Sequence, residues 1–303
     1  MKDAKGCFDR IQHTFAVLVL MYYGVAWSVA STLFDVLQKA KHKIKTGYGV
    51  FAPVYGDDAT DISGIGQENG LGPALWALIS SIVFKMCKAR GHGMNLLTPI
   101  SKNVISFMGF AFVDNANLIA GAEDVNTSGA TMIARFQAMM TCWNGGIRAT
   151  GGLIAPEKTR CFLLSFFWDG TDWQYHTKDS LPGDIFLPDK NGDLYTVTRE
   201  EPTSAFVSLG FNNPLSGGDA ATGEVIWDAA NVFETQMLTA HCDKTSCLNA
   251  YHTSFMPSLS YKMMASQFTE DEWKKNDFSS YLCYSQCCRN CTKHGACSGV
   301  WSS

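Results

Sequence analysis

The chain contains 303 residues, of which 46% are hydrophobic, and its formal net charge at pH 7 is −4. That hydrophobic content supports a packed core and excludes a wholly disordered protein. The slightly acidic balance excludes a uniformly basic nucleic-acid-binding surface, so any such binding has to use a local basic strip.

The N-terminal residues and the cysteines bear on where the protein resides. Residues 1–10 are charged and lack the apolar stretch of a signal peptide. Residues 14–31 carry no charge, but Gly24 interrupts them, which predicts a buried helix and a turn rather than a membrane span. Isolated cysteines, typical of core residues in a reducing compartment, are Cys7, Cys87, Cys142 and Cys161. We expect an intracellular protein, nuclear or cytoplasmic, with no transmembrane segment and no membrane partner.

Helical spacing of apolar residues predicts two helices near the start, over 9–23 and 27–43. The stretch KHKIKTGYG, residues 41–49, follows them and alternates three lysines. On a strand these lysines share one face, either as a solvated edge or as a strip that binds phosphates.

The middle of the chain combines helices with one hairpin. A glycine-rich turn leads into an apolar helix that begins near Pro73 and stops at Gly91. A hairpin is expected over 104–120. A helix over 128–143 follows, and the pair Gly145-Gly146 is expected to end it.

The rest of the chain divides by composition. Two aromatic-rich runs in 161–177 flank the turn Asp169–Asp172 and predict a hairpin. A loop with short strands is expected next, and helical spacing returns over 219–277. The whole pattern predicts an α+β fold.

The stretch FVDNANL, residues 112–118, places Asp114 at the tip of the predicted hairpin. A carboxylate in that position projects from the sheet, where it can ligate a metal. Nucleotidyl transfer commonly uses two divalent cations, which need several carboxylate oxygens. A second carboxylate is available at the start of the chain, where Asp3 and Asp9 flank Phe8.

Five short motifs in this order resemble those of the reverse transcriptases of non-LTR retrotransposons. DAKGCFD (3–9) resembles the first catalytic motif, and GIGQENGLGPALW (64–76) resembles the second. FVDNANL resembles the aspartate-pair hairpin, GLIAPEKTRCFL resembles the motif that carries a lysine, and AFVSLGF resembles the strand before the thumb. The resemblance covers roughly residues 1–275.

The resemblance implies a role for individual residues. Asp3 and Asp114 would ligate Mg²⁺, and Lys158 would protonate the pyrophosphate leaving group. Phe8 would lie beneath the sugar and exclude a 2′-hydroxyl, and Gln67 would contact the incoming nucleotide and the template. The implied partners are an RNA template and a DNA primer.

The sequence departs from the family pattern at positions that matter for catalysis. Asn115 stands where the second aspartate is expected, and a neutral amide is a poorer Mg²⁺ ligand. Glu68 replaces a glycine, which adds a side chain and a negative charge near the triphosphate. Gly72 replaces a serine before Pro73, which is a milder change. The family's fingers precede the first motif, so the fingers are expected to be largely missing.

The resemblance implies a polymerase palm, an antiparallel sheet with packed helices, followed by a helical thumb. The expected divisions are the palm with part of the fingers (1–185), a connection of loop and short strands (186–218), the thumb-like region (219–277) and a cysteine-rich tail (278–303). The tail holds six metal-ligand residues: Cys283, Cys287, Cys288, Cys291, His294 and Cys297. Their spacing does not match a zinc knuckle, and we expect a tail without a packed core or bound zinc.

The functional expectation is an RNA-directed DNA polymerase by descent that uses two-metal nucleotidyl transfer and is inactive as it stands. The alternative is a non-catalytic, nucleic-acid-binding remnant of a retroelement that keeps the palm fold. A third possibility, a small zinc-binding interaction protein, rests on the tail alone.

Overall fold

A computed structural model describes residues 2–3, 10–39, 41, 43–52, 64, 70–124, 126–208, 211–217, 220–240, 243–266, 268 and 271. The chain divides into two compact units, Met1–Glu201 and Pro202–Ser303. Helices and small, mostly antiparallel sheets occur together, so the α+β class is confirmed.

The first unit starts with a two-residue strand, β1 (Lys2–Asp3), and two helices, α1 (His13–Tyr22) and α2 (Trp27–Lys39). Gly24 forms the turn between the helices with φ of +90°, a conformation that favours glycine. The uncharged run is therefore a helix followed by a turn, as its sequence predicts. The next two strands, β2 (Lys45–Thr46) and β3 (Gly49–Val50), form a short hairpin.

Helix α3 (Leu71–Ala89) ends as predicted, because Gly91 has φ of +81° and the chain turns there. By length and composition it is the one helix among the described residues that could cross a membrane. Its apolar stripe, which includes Leu75, Ile79 and Val83, belongs to the core of the first unit.

The predicted hairpin over 104–120 is two hairpins. Strand β4 (Met94–Leu97) pairs with β5 (Val104–Phe107), and β6 (Gly109–Phe112) pairs with β7 (Asn115–Leu118). The break falls at Met108, a buried residue between β5 and β6. Strand β1 adds to the second hairpin and gives a three-stranded antiparallel sheet in the order β1-β7-β6.

Helix α4 (Gly129–Ala149) begins at Ser128, whose side chain accepts a hydrogen bond from the N–H of Thr131. The prediction that the glycine pair ends this helix is wrong, because the helix continues through both glycines to Ala149. A Cβ on Gly146 would meet Val83 Cγ1 at 2.6 Å, so the glycine allows α3 and α4 to approach closely.

The first unit continues with a 3₁₀ turn (Pro156–Lys158) and five strands: β8 (Arg160–Phe162), β9 (Phe166–Trp168), β10 (Trp173–Tyr175), β11 (Ile185–Pro188) and β12 (Leu194–Glu200). Strands β9 and β10 form the predicted aromatic hairpin. Strand β12 pairs antiparallel with β11 and parallel with β8. The segment predicted as a connection thus contributes two strands to this unit.

Three of the four isolated cysteines lie in the core of this unit, as predicted: Cys87, Cys142 and Cys161 are buried. The fourth, Cys7, lies outside the described residues. Burial raises the pKa of the Cys161 thiol to about 11, so that this thiol stays protonated at neutral pH.

The second unit has two strands and three helices in its described part. Strands β13 (Ala205–Ser208) and β14 (Phe211–Pro214) form a hairpin. Three helices follow, the last two joined by a π-helical turn (Tyr251–Phe255): α5 (Ala220–Thr239), α6 (Lys244–Ala250) and α7 (Met256–Ala265). Ile226, Phe255 and Leu259 are central to its core. The cysteine-rich stretch 283–297 and its predicted lack of zinc lie outside the described residues.

Candidate functional site

The turn of the β6–β7 hairpin carries Asp114, one of the two predicted metal-binding residues. Val113 and Asp114 form the turn, and Phe112 lies opposite Asn115 where the two strands begin to pair. Val113 has φ of +52°, which is rare for a β-branched residue and costs about 1–3 kcal/mol. Backbone strain of this kind clusters at functional sites, where surrounding structure holds it in place.

A tryptophan from α3 holds this turn. The indole N–H of Trp76 donates a hydrogen bond to the carbonyl of Val113, and Trp76 is only 3% exposed. The buried ring therefore fixes the backbone immediately before Asp114. No local sequence pattern predicts this role, because the contact joins residues in different motifs.

Strand β1 brings the first motif to the same hairpin. Asp3 pairs with Asn115, and Lys2 pairs with Ala116, in an antiparallel register. Asn115 thus lies on the central strand, between Asp3 and Phe112 on its two neighbours. The backbones of the two predicted metal-binding segments are adjacent. The expected proximity of the Asp3 and Asp114 carboxylates stays a prediction.

The fourth motif also lies close to β1. Lys158 is exposed at the end of the 3₁₀ turn, and that turn contacts β1. A second contact joins the same regions, because the N–H of Gln12 donates to the carbonyl of Thr150 at 3.0 Å. A Cβ on Gly151 would meet the Arg10 carbonyl oxygen at 2.3 Å, so glycine is required for this approach.

The predicted nucleotide-binding residues Phe8, Gln67 and Glu68 lie outside the described residues. Gly64, at the start of the same glycine-rich stretch, is described, and its carbonyl is hydrogen-bonded to Nε2 of His13. His13 is buried on α1. The start of the second motif is therefore tied to α1.

A cleft of about 280 Å³ lies next to the hairpin, with walls from α3 and β6. Its lining includes Pro73, Trp76, Ser80 and Val113. Trp76 lies in the wall from α3 and also donates the hydrogen bond to Val113. The same side chain therefore lines the cleft and holds the hairpin turn.

The donor atoms for a metal are limited at this site. Among the described residues, no cluster of three or more histidine, cysteine, aspartate or glutamate residues is arranged to hold a metal. The turn contains Asp114, β7 begins with the neutral Asn115, and the backbone of Asp3 in β1 is paired with that of Asn115.

Comparison with protein-family models and with curated proteins finds no match for this chain. The geometry and the sequence pattern therefore carry the functional argument.

Proposed function

We propose that the chain carries the palm of a reverse transcriptase, an RNA-directed DNA polymerase by descent whose two-metal nucleotidyl-transfer site has lost turnover. In this proposal residues 219–277 form the thumb, and the protein binds an RNA template and a DNA primer without extending the primer. The observation that supports the proposal most directly is the register of Asp3 with Asn115 in the sheet β1-β7-β6.

That register supports the proposal because it joins distant parts of the chain. A two-metal site needs carboxylates from separate segments to converge on one edge of the fold. The two residues are more than 100 positions apart in sequence, yet their strands are hydrogen-bonded neighbours. The strained turn at Val113, held by Trp76, is a second supporting feature.

Each residue has a defined task in the proposed site. Asp3 and Asp114 hold Mg²⁺, which when bound would stabilise charge on the attacking and leaving oxygens. Lys158, exposed beside β1, holds a proton for the pyrophosphate leaving group. Phe8 and Gln67 contact the sugar and the base of the nucleotide.

Two substitutions relative to the family pattern account for the loss of turnover. Asn115 supplies a neutral oxygen where a third carboxylate would help to hold a second cation. Glu68 adds a negative charge near the triphosphate. At about 5 Å this charge repels a phosphate by about 3 kcal/mol with an effective dielectric constant of 20, which corresponds to a loss of about 100-fold in nucleotide affinity.

A second candidate function is binding of nucleic acid without any metal chemistry. Lys41, Lys43 and Lys45 support it, because all three are exposed within five residues of the chain. Only Lys45 lies on a strand, β2, so the three form a local basic stretch rather than the strand face predicted. Such a stretch binds phosphates in a salt-dependent manner.

Primer extension on an RNA template with Mg²⁺ or Mn²⁺ tests the loss of turnover. We expect no template-dependent product from the unmodified chain. Extension that D3A abolishes would contradict this expectation and show an active polymerase.

Binding of a fluorescein-labelled RNA–DNA primer–template, followed by anisotropy, separates the two candidate functions. If the metal site takes part, Mn²⁺ with a nucleotide tightens binding by N115D, and D114N removes the effect. If the chain is only a binder, metal has no effect and K41A/K43A/K45A weakens binding.

A further inference from the structure

The hairpin of β9 and β10 places four aromatic rings on one face, three of them exposed and the fourth, Tyr175, half-buried. Trp168 lies opposite Trp173, and Phe166 lies opposite Tyr175, so the alternation of side chains places all four rings on the same face. The ring centroids are 5.5 Å apart in the tryptophan pair and 4.7 Å apart in the other pair. We call these four residues the aromatic face.

The aromatic face is more exposed than stabilisation of the hairpin requires. Cross-strand ring pairs do stabilise a two-stranded ribbon. However, Phe166, Trp168 and Trp173 remain 52%, 53% and 63% exposed. Contiguous apolar surface of this kind marks an interaction site. The rings also offer π-electron faces, which attract cations.

The turn next to the aromatic face is acidic and rigid. Oδ1 of Asp169 accepts hydrogen bonds from the N–H groups of Thr171 and Asp172 and from the Thr171 hydroxyl. These bonds lower the pKa of Asp169 to about 2, so the carboxylate is charged at neutral pH. Asp172 accepts a hydrogen bond from the backbone N–H of Trp173, which holds the second carboxylate at the start of β10.

The charge of the β9–β10 hairpin indicates which class of partner can bind to the aromatic face. Residues 163–177 contain two aspartates and neither lysine nor arginine. Phosphate groups are repelled by such a surface, whereas a cation is attracted both by the carboxylates and by the ring faces. A guanidinium group is the best match, because it stacks flat on an aromatic ring while it donates hydrogen bonds to a carboxylate.

We propose that the aromatic face is a docking surface for an arginine-containing segment of a partner protein. This inference is independent of the proposed polymerase ancestry, because it uses a different surface and no metal. The guanidinium groups stack on the tryptophan rings, and the Asp172 carboxylate, next to Trp173, sets their orientation; Asp169 shapes the turn, because its second oxygen accepts from Gln174.

The test measures anisotropy of fluorescein-labelled peptides of alternating glycine and arginine with the full chain. Peptides with lysine or citrulline in place of arginine are the matched probes, since citrulline keeps the planar group without its charge. We expect the arginine peptide to bind most tightly and the citrulline peptide at least about tenfold more weakly. Equal binding of the arginine and citrulline peptides would overturn the proposal.

Variants separate π-electron contact from plain apolar contact. W173F keeps a ring and should retain most of the affinity, whereas W173L keeps an apolar side chain and should lose about two- to fivefold. D172N keeps the acceptor for the Trp173 N–H and should weaken binding a few-fold. Y48A removes a fully exposed ring elsewhere and should change nothing. Equal affinity of W173F and W173L would refute the role of the ring face.

A labelled single-stranded DNA oligonucleotide completes the experiment. If that DNA binds to the unmodified chain and the binding is lost in W173L but kept in W173F, the aromatic face stacks on bases and the proposal is wrong. If W173L loses affinity for the arginine peptide but keeps its affinity for the DNA, the result supports the proposed arginine-binding surface.

Discussion

Substitution of Gly146 by alanine tests whether α3 and α4 pack as closely as described. The added Cβ would lie 2.6 Å from Val83 Cγ1 and 2.8 Å from Met86 Cε. The methionine end can rotate away, but a valine on a buried helix face is stiff at χ1. The helices must therefore separate by several tenths of an ångström.

The expected cost combines two opposing effects. Overpacking of a core costs about 1–3 kcal/mol. Alanine in place of a glycine inside a helix stabilises it by about 1 kcal/mol. Gly145 is the matched control, because it lies on the same helix with no atom within 4 Å of its would-be Cβ. G145A should gain the helix stabilisation alone.

The difference between the two variants isolates the packing term, because the helix stabilisation cancels. We expect G146A to be less stable than G145A by about 2 kcal/mol, or about 4–8 °C in Tm for a unit of this size. Thermal unfolding followed by circular dichroism measures this difference. Equal Tm values for G145A and G146A would refute the close helix contact.

Two further outcomes are expected from other parts of the first unit. W76F removes the donor for the Val113 carbonyl and leaves a small void. The free energy of unfolding, measured by urea denaturation, should therefore fall by about 2–4 kcal/mol. No loss of stability would show that the hydrogen bond does not support the turn. The pKa of Asp169 is lower in the folded chain than in the unfolded chain, so its stabilisation is present above pH about 4 and is lost as pH falls towards about 2. The exciton circular dichroism of the Trp168–Trp173 pair should weaken over this interval in the native chain and stay flat in D169N; identical pH profiles would contradict the assigned pKa.

The sequence predicted those elements whose signals are local. Turn residues at Gly24 and Gly91 marked helix ends because both positions need φ above zero. The aromatic hairpin around Asp169 was visible from two apolar runs and a turn of aspartates and glycine. In each case the residues that decide the structure are near one another in the chain.

Long-range packing explains where the sequence interpretation failed. Gly145 and Gly146 suggest a helix end by composition, but the space that Gly146 leaves is filled by Val83 on another helix. The pairing of β4 with β5 divided the expected single hairpin. Trp76 likewise contacts a residue 37 positions away, which no local pattern reveals.

Part of the candidate site could be predicted and part could not. Motif order placed Asp3 and Asp114 on segments that the sheet brings together. The positive φ of Val113 and its hydrogen bond to Trp76 could not be predicted. Neither a backbone φ angle nor the partner of an indole N–H follows from the spacing of residues in the sequence.

The central claim is that Asp3, Asp114 and position 115 form one metal site. Mn²⁺ titration followed by electron paramagnetic resonance of the free ion tests it most directly. We predict that N115D binds Mn²⁺ at least about tenfold more tightly than the native chain, a gain of about 1.4 kcal/mol, because it adds a carboxylate opposite Asp3. N117D is the control, since it adds the same charge to β7 opposite Phe110 and should gain little.

The double variant D3N/N115D tests whether Asp3 contributes to the gain in Mn²⁺ affinity of N115D. We predict that its Mn²⁺ affinity falls back to the level of the native chain, because one ligand is removed as another is added. Retention of the full N115D affinity in D3N/N115D, or an equal gain in N117D, would show that Asp3 takes no part in the site and would contradict a metal site shared by Asp3, Asp114 and position 115.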